Sequence, residues 1–121
     1  MVRHLKEGTG WRLGYDPDAS PFKGLVGGDR WAVEMTEAEF ADFCRLARQL
    51  AETVRSLATE LMDEERIACE QETPVIWMEA EGFPAQFGLR FILLQGRQAE
   101  GGWTAIATAE LINAIPAVTL F

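Results

Sequence analysis

Residues 30–40 read Arg30-Trp-Ala-Val-Glu-Met-Thr36-Glu-Ala-Glu-Phe40, and the period of the apolar residues changes inside this stretch. Up to Met35 it is two: Trp31, Val33 and Met35 share one face, as in a half-buried strand. From Thr36 it is 3.6. Thr36 and Glu39 have the spacing of a capping box, in which the hydroxyl accepts from the N3 amide and the N3 carboxylate reaches back. Apolar residues then recur at Phe40, Phe43, Cys44, Ala47, Leu50, Val54, Leu57 and Leu61, and no Gly or Pro lies between Thr36 and Thr73. The pattern predicts an amphipathic helix from about residue 37 to about residue 66.

Upstream of this switch, Trp11, Leu13 and Tyr15 alternate with Arg12 and Gly14, which predicts a strand over 10–16. The run DPDASP is a loop, with Asp16 and Asp18 making local turns beside Pro17. A second strand is expected over 22–26 and a third over 30–35, joined by a hairpin turn at Gly27-Gly28-Asp29 with glycines at positive φ. Downstream, strands are expected over 75–81, 86–94 and 103–107. Turns fall at 82–84 and 96–102, and a short helix runs from Thr108 to near Pro116.

The strand-to-helix switch occurs twice. Trp31 to Phe40 aligns with Trp103 to Ile112 at an offset of 72 residues, with Gly27-Gly28 and Gly101-Gly102 ahead of the two tryptophans. The order of elements predicts an α+β domain over 1–121, an antiparallel sheet built from two strand-rich-plus-helix repeats. One helix is long and central, the other short and C-terminal.

Composition narrows function by exclusion. The 121 residues are 48% hydrophobic, 25% charged and 10% aromatic, too apolar for disorder. No apolar run is long enough to span a membrane, and the first ten residues lack the apolar core of a secretory signal. Cys44 and Cys69 have no metal-ligand spacing, and His4 is the only histidine. Both thiols are read as core or near-core residues, and a reducing cytoplasm is the expected setting. No metal and no cofactor is expected.

The net charge of −8 is concentrated. Residues 60–81 hold eight acids against Arg66 alone, a local charge of −7. Such a run solvates the protein and disfavours bulk nucleic-acid binding, which depends on neutralising phosphates. Glu79 and Glu81 share a strand face but have no third ligand nearby, so a solvated face is expected rather than acid–base work. Neither serine sits in a nucleophile elbow and neither glycine pair has phosphate-loop spacing, so no catalytic residue is expected. Trp11, Trp31, Trp77 and Trp103 all fall on predicted strands. Aromatics on an open sheet can stack bases, but Arg12 and Arg30 would lie behind their neighbouring tryptophans, which favours core packing.

A 30-residue helix spans about 45 Å, longer than the roughly 35 Å diameter of a domain this size. A projecting apolar stripe predicts a homodimer through the long helix, unless residues 63–72 form a solvated overhang.

The opening Gly8-Thr-Gly-Trp-Arg-Leu-Gly-Tyr-Asp-Pro17, followed by Gly27 to Phe40, resembles the small cyanobacterial family named domain of unknown function 1818, over essentially the whole chain. The resemblance implies a fold similar to single-stranded-DNA-binding transcriptional regulators, such as the Whirly proteins and positive cofactor four. Their lysine-rich strand motif is reduced here to Lys23-Gly24-Leu25-Val26-Gly27, so the charge that would face DNA is largely missing. The expected function is therefore a small non-enzymatic interaction protein that binds another protein, with single-stranded nucleic-acid binding as the alternative. Arg12, Lys23 and Arg30 are the candidate contact residues.

Overall fold

The computed structural model describes residues 3–118, which form ten elements in the order four strands, helix, four strands, helix. The first antiparallel sheet contains β1 (His4–Gly8), β2 (Trp11–Tyr15), β3 (Gly24–Gly27) and β4 (Ala32–Met35), and α1 is Glu37–Ala58. The second contains β5 (Ile67–Glu72), β6 (Ile76–Phe83), β7 (Gln86–Leu93) and β8 (Glu100–Trp103), and α2 is Ala105–Val118. Strands are neighbours in sequence order in both sheets.

The repeat is present, with a different alignment from the one the tryptophans suggest. Leu13 pairs with Val26 and Met78 with Phe91, so the first three strands match at an offset of 65 residues. Gly24 pairs with Met35 as Leu89 pairs with Trp103, so the fourth strands match at 68. Thr36 and Thr104 are therefore equivalent, and each caps a helix. Thr36 Oγ1 accepts from the Glu39 amide at 3.2 Å while Glu39 Oε1 accepts from the Thr36 amide at 2.9 Å. Thr104 Oγ1 accepts from the Ala107 amide at 3.3 Å. Thr108 does not open the second helix. It is buried inside it, donating to the Trp103 carbonyl.

Other expectations are corrected too. The long helix ends at Ala58 rather than near 66. Glu60, Asp63, Glu64 and Glu65 would crowd carboxylates onto the negative end of the helix dipole, and Arg55 is the only base in the last turn. At 22 residues the helix spans about 33 Å, and its stripe is buried within its own chain, so the length argument for a homodimer through it falls. Residues 67–72, expected beyond the helix with a solvated overhang over 63–72 as the alternative, form β5, and β1 had no counterpart in the expectation. The last strand lies at Glu100–Trp103, not 103–107, and α2 runs past Pro116 to Val118. The expected packing of the apolar tail beyond Val118 lies outside the described residues.

Each helix crosses to the other half. The first lies mainly on β5 and β6, whereas the second lies on β1, β2 and β7. One continuous core results, threaded by aromatic rings. Tyr15 stacks on Phe40 at 5.7 Å, Phe43 meets Phe91 and Trp103 edge-on at 5.6 Å, and Trp31 meets Trp103 at 5.3 Å. The buried indole of Trp103 donates to the Gly27 carbonyl at 2.8 Å, and that of Trp11 donates to Glu110 at 2.9 Å, which ties β2 to α2.

The glycine pairs serve close approach rather than turn geometry. Neither Gly27 nor Gly28 has positive φ. A Cβ on Gly28 would run into the Trp31 indole from one side, and a Cβ on Gly101 would run into it from the other. The two glycine-rich segments, one from each half, are thus the two walls of the Trp31 seat.

Candidate interaction surfaces

The structure separates the three candidate cations by role. Arg12 spends its guanidinium on the chain itself, with Nε donating to the Gly28 carbonyl at 3.0 Å and Nη2 to the Trp31 carbonyl at 2.8 Å. This clamps the β3–β4 turn. Lys23 Nζ likewise donates to the Pro17 and Ala19 carbonyls at 2.9 and 3.1 Å and closes the loop between β2 and β3. Both line a depression of about 300 Å³ on the outer face of the first sheet, floored by Leu5, Gly14 and Leu25. Arg30 stands apart, exposed in the β3–β4 turn. These positions leave little cationic surface for a phosphate backbone, since two of the three charges already satisfy carbonyls.

The outer face of the second sheet has a different chemistry. Its cross-strand register sets three rows. Ala68, Glu81 and Gly88 form the first, Glu70, Glu79, Arg90 and Gly102 the second, and Glu72, Trp77, Ile92 and Glu100 the third. Alternation fixes this arrangement, because Ile76, Met78 and Ala80 are fully buried and so turn Trp77, Glu79 and Glu81 outward. Five carboxylates therefore share one face with a single guanidinium.

That guanidinium is held from both sides. Arg90 Nε donates to Glu79 at 2.8 Å, and its carbon lies 4.8 Å above the centre of the Trp77 ring. The bond to Glu79 holds the Arg90 pKa above its ordinary value, and Glu81 and Glu100 add to it. At the border, Arg66 pairs with Glu81 at 3.0 Å and lies over Phe83 at 5.3 Å. Glu70 and Glu79 nonetheless stand directly opposite each other, a like-charge pair that costs stability.

Glu79 and Glu81 line an open depression of about 420 Å³ with Arg90, Leu89 and Trp103. Each carboxylate is engaged by an arginine, and among the described residues no set of three or more His, Cys, Asp or Glu is placed to hold a metal ion. Cys44 is buried, which pushes its thiol up to about 12, and Cys69 is half-buried on the inner face of β5.

Two arrangements escaped the sequence reading. Arg97, in the β7–β8 loop, donates to Glu39 at 2.6 Å and also to the Glu34 carbonyl, and its guanidinium lies 4.6 Å over the Phe22 ring. It joins the two halves at the start of α1, through a separation of 58 residues that no local pattern reveals. The Trp77–Arg90–Glu79 cluster was within reach, because period-two alternation in QFGLRFILL puts Arg90 on the outward face.

Among the described residues no helix is long and apolar enough to cross a membrane. No curated protein matches the chain. It is similar to a crystallised protein of unknown function, described as from the DUF155 family, from Prochlorococcus sp. NATL2A. The TM-score is 0.90 and the identity 29%, over 97% of this chain and 98% of that one. The family model named DUF1818, a domain of unknown function, matches residues 6–118, and the chain belongs to that family.

Proposed function

We propose that this chain is a non-enzymatic interaction module that binds another protein, and that the outer face of β5–β8 is its binding surface. One observation carries the reading. That face keeps five carboxylates around a partly exposed Trp77 and Ile92, and tolerates the Glu70–Glu79 pair across neighbouring strands. A charge arrangement that lowers stability is expected where a surface serves recognition. The acidic field steers basic polypeptides toward it, and Trp77, half-buried under Arg90, offers an aromatic contact within it. The two unpaired thiols fit a reducing cytoplasm.

A second reading rests on the fold. The order of four strands and a helix, stated twice, supports a likeness to Whirly-type single-stranded-DNA-binding regulators. In this reading Arg12, Lys23 and Arg30 face the nucleic acid. The carbonyl bonds of Arg12 and Lys23 and the acidity of the second sheet weigh against it.

Tryptophan fluorescence separates the two. A short peptide alternating lysine with apolar residues is expected to give a saturable change that Trp77→Phe removes. The change should vanish at about 1 M salt, where the screening length is about 3 Å. A short oligothymidylate is expected to give none. A response to the oligonucleotide alone would replace the first reading with the second.

A further inference from the structure

The solvent sides of the two helices differ in kind. That of α1 carries Glu37, Arg45, Arg48, Glu52 and Arg55. That of α2 carries Ile106, Ala109, Asn113, Pro116 and Ala117, with Glu110 as its only charge, and Glu110 already accepts from Trp11. A helix that is apolar on nearly every side is a helix that gets covered. From this row we infer that α2 is the contact between two copies of this chain, paired antiparallel about a twofold axis near Ala109.

A twofold interface must offer both a projection and its own receptacle. Ile106, 75% exposed, is the projection. The receptacle is a groove of about 250 Å³ between α1, α2 and the β6–β7 turn, floored by Val54, Phe87 and Ile112. Ile106 and Ile112 lie three residues either side of Ala109, so an antiparallel partner centred there brings each Ile106 over the other copy's groove. Ala109 borders this groove and also the neighbouring depression of about 340 Å³ beside Ile106, and its small side chain lets two helix axes approach closely.

Charge favours the same occupant. Arg55, which also pairs with the exposed Glu52 on its own helix, stands on the rim of the groove, and Glu110, which accepts from Trp11, on the rim of the depression beside Ile106. The twofold pairing sets Arg55 of each copy toward Glu110 of the other. For a chain of net charge −8, this is also a face on which two copies meet without opposing acidic fields.

Sedimentation equilibrium of the intact chain across about 10–500 μM tests this, the range in which a small interface of this kind dissociates. The mass is expected to rise from 13.5 kDa toward twice that value. Ile106→Glu should weaken the association at least tenfold with little change in the melting temperature of the monomer, since that side chain is 75% exposed in its own copy. In a Cys69→Ser background, Ala109→Cys should form a disulfide-linked dimer on mild oxidation, while Ser56→Cys on the polar side of α1 should not. A monomer at every concentration overturns the inference and leaves the groove to a different protein. A dimer indifferent to Ile106→Glu, or one crosslinked as readily through Ser56→Cys, overturns it equally.

Discussion

The first and second sheets share a topology and differ in what they show to solvent. Their inward residues obey one rule: Leu13, Val26 and Met35 in one half correspond to Met78, Phe91 and Trp103 in the other, all buried. Their outward residues obey none in common. The first sheet shows a mixed surface on which Arg12 and Lys23 are tied to backbone carbonyls. The second shows a carboxylate field around Trp77 and Arg90. The helices repeat the contrast, charged outside in α1 and apolar outside in α2. What the halves share is what folding requires. What they do not share is where the functional reading rests.

The crossing of the helices makes the shared part inseparable, and the largest expected effect tests that. Phe43 sits on α1 but packs against Phe91 and Trp103 of the second half. Phe43→Ala should cost about 3–5 kcal/mol. Both halves should be lost in a single urea transition, read by far-UV circular dichroism and by tryptophan fluorescence. Two separate transitions would mean that the halves are independent and the comparison is between two domains.

The buried thiol of Cys44 sets a pH limit on the same core. Its folded pKa is raised by burial to about 12 from an ordinary value of 9.0. Between these values the native chain keeps a proton that the unfolded chain has released. Its contribution is therefore complete below pH 9 and is lost as pH rises toward about 12. The decline is at most about 1.4 kcal/mol per pH unit. Urea unfolding at intervals from pH 8 upward should show the fall, and Cys44→Ala should reduce it, leaving the part contributed by the Tyr15 phenol, which burial also pushes up. In the native state a thiol reagent should modify Cys69 well before Cys44.

The two caps offer a smaller and sharper comparison. Thr36 shares a reciprocal capping box with Glu39, which Arg97 holds in place. Thr104 has a single cap bond at 3.3 Å. Thr36→Ala should lower stability by about 1 kcal/mol, and Thr104→Ala by less. Thermal melts of the two variants decide the order. The smallest effect is of opposite sign. Glu70→Gln removes a like-charge pair across β5 and β6 and should raise stability by a few tenths of a kcal/mol, on the order of 0.2–0.5. The same substitution should weaken binding of a basic peptide.

How much of this was legible follows from range. The capping box and the core stripe of α1 are local patterns, and residues 36–54 carried them correctly. The end of α1 was misread because the apolar stripe continues through Leu57 and Leu61, while the acids that stop the helix act through its dipole. That overrun hid β5, although Ile67, Cys69 and Gln71 alternate inward with Ala68, Glu70 and Glu72 outward. The repeat was misaligned by four residues because Trp31 and Trp103 look equivalent in sequence. In space they touch, and Met35 is the true counterpart of Trp103. The acidic face was visible as charge in residues 60–81 but not as a surface. Assembling it needed the register that brings Arg90 and Glu100 beside those residues from 11 and 21 positions beyond Glu79.

The measurement that tests the account most directly is an amide chemical-shift titration of the isotopically labelled chain with the lysine-bearing peptide. Shifts are expected only at the outer residues of the second sheet, centred on Trp77, Glu79, Arg90 and Ile92, with β1–β4 unmoved. Shifts centred on Arg12, Leu25 and Lys23, with the carboxylate face silent, would contradict it.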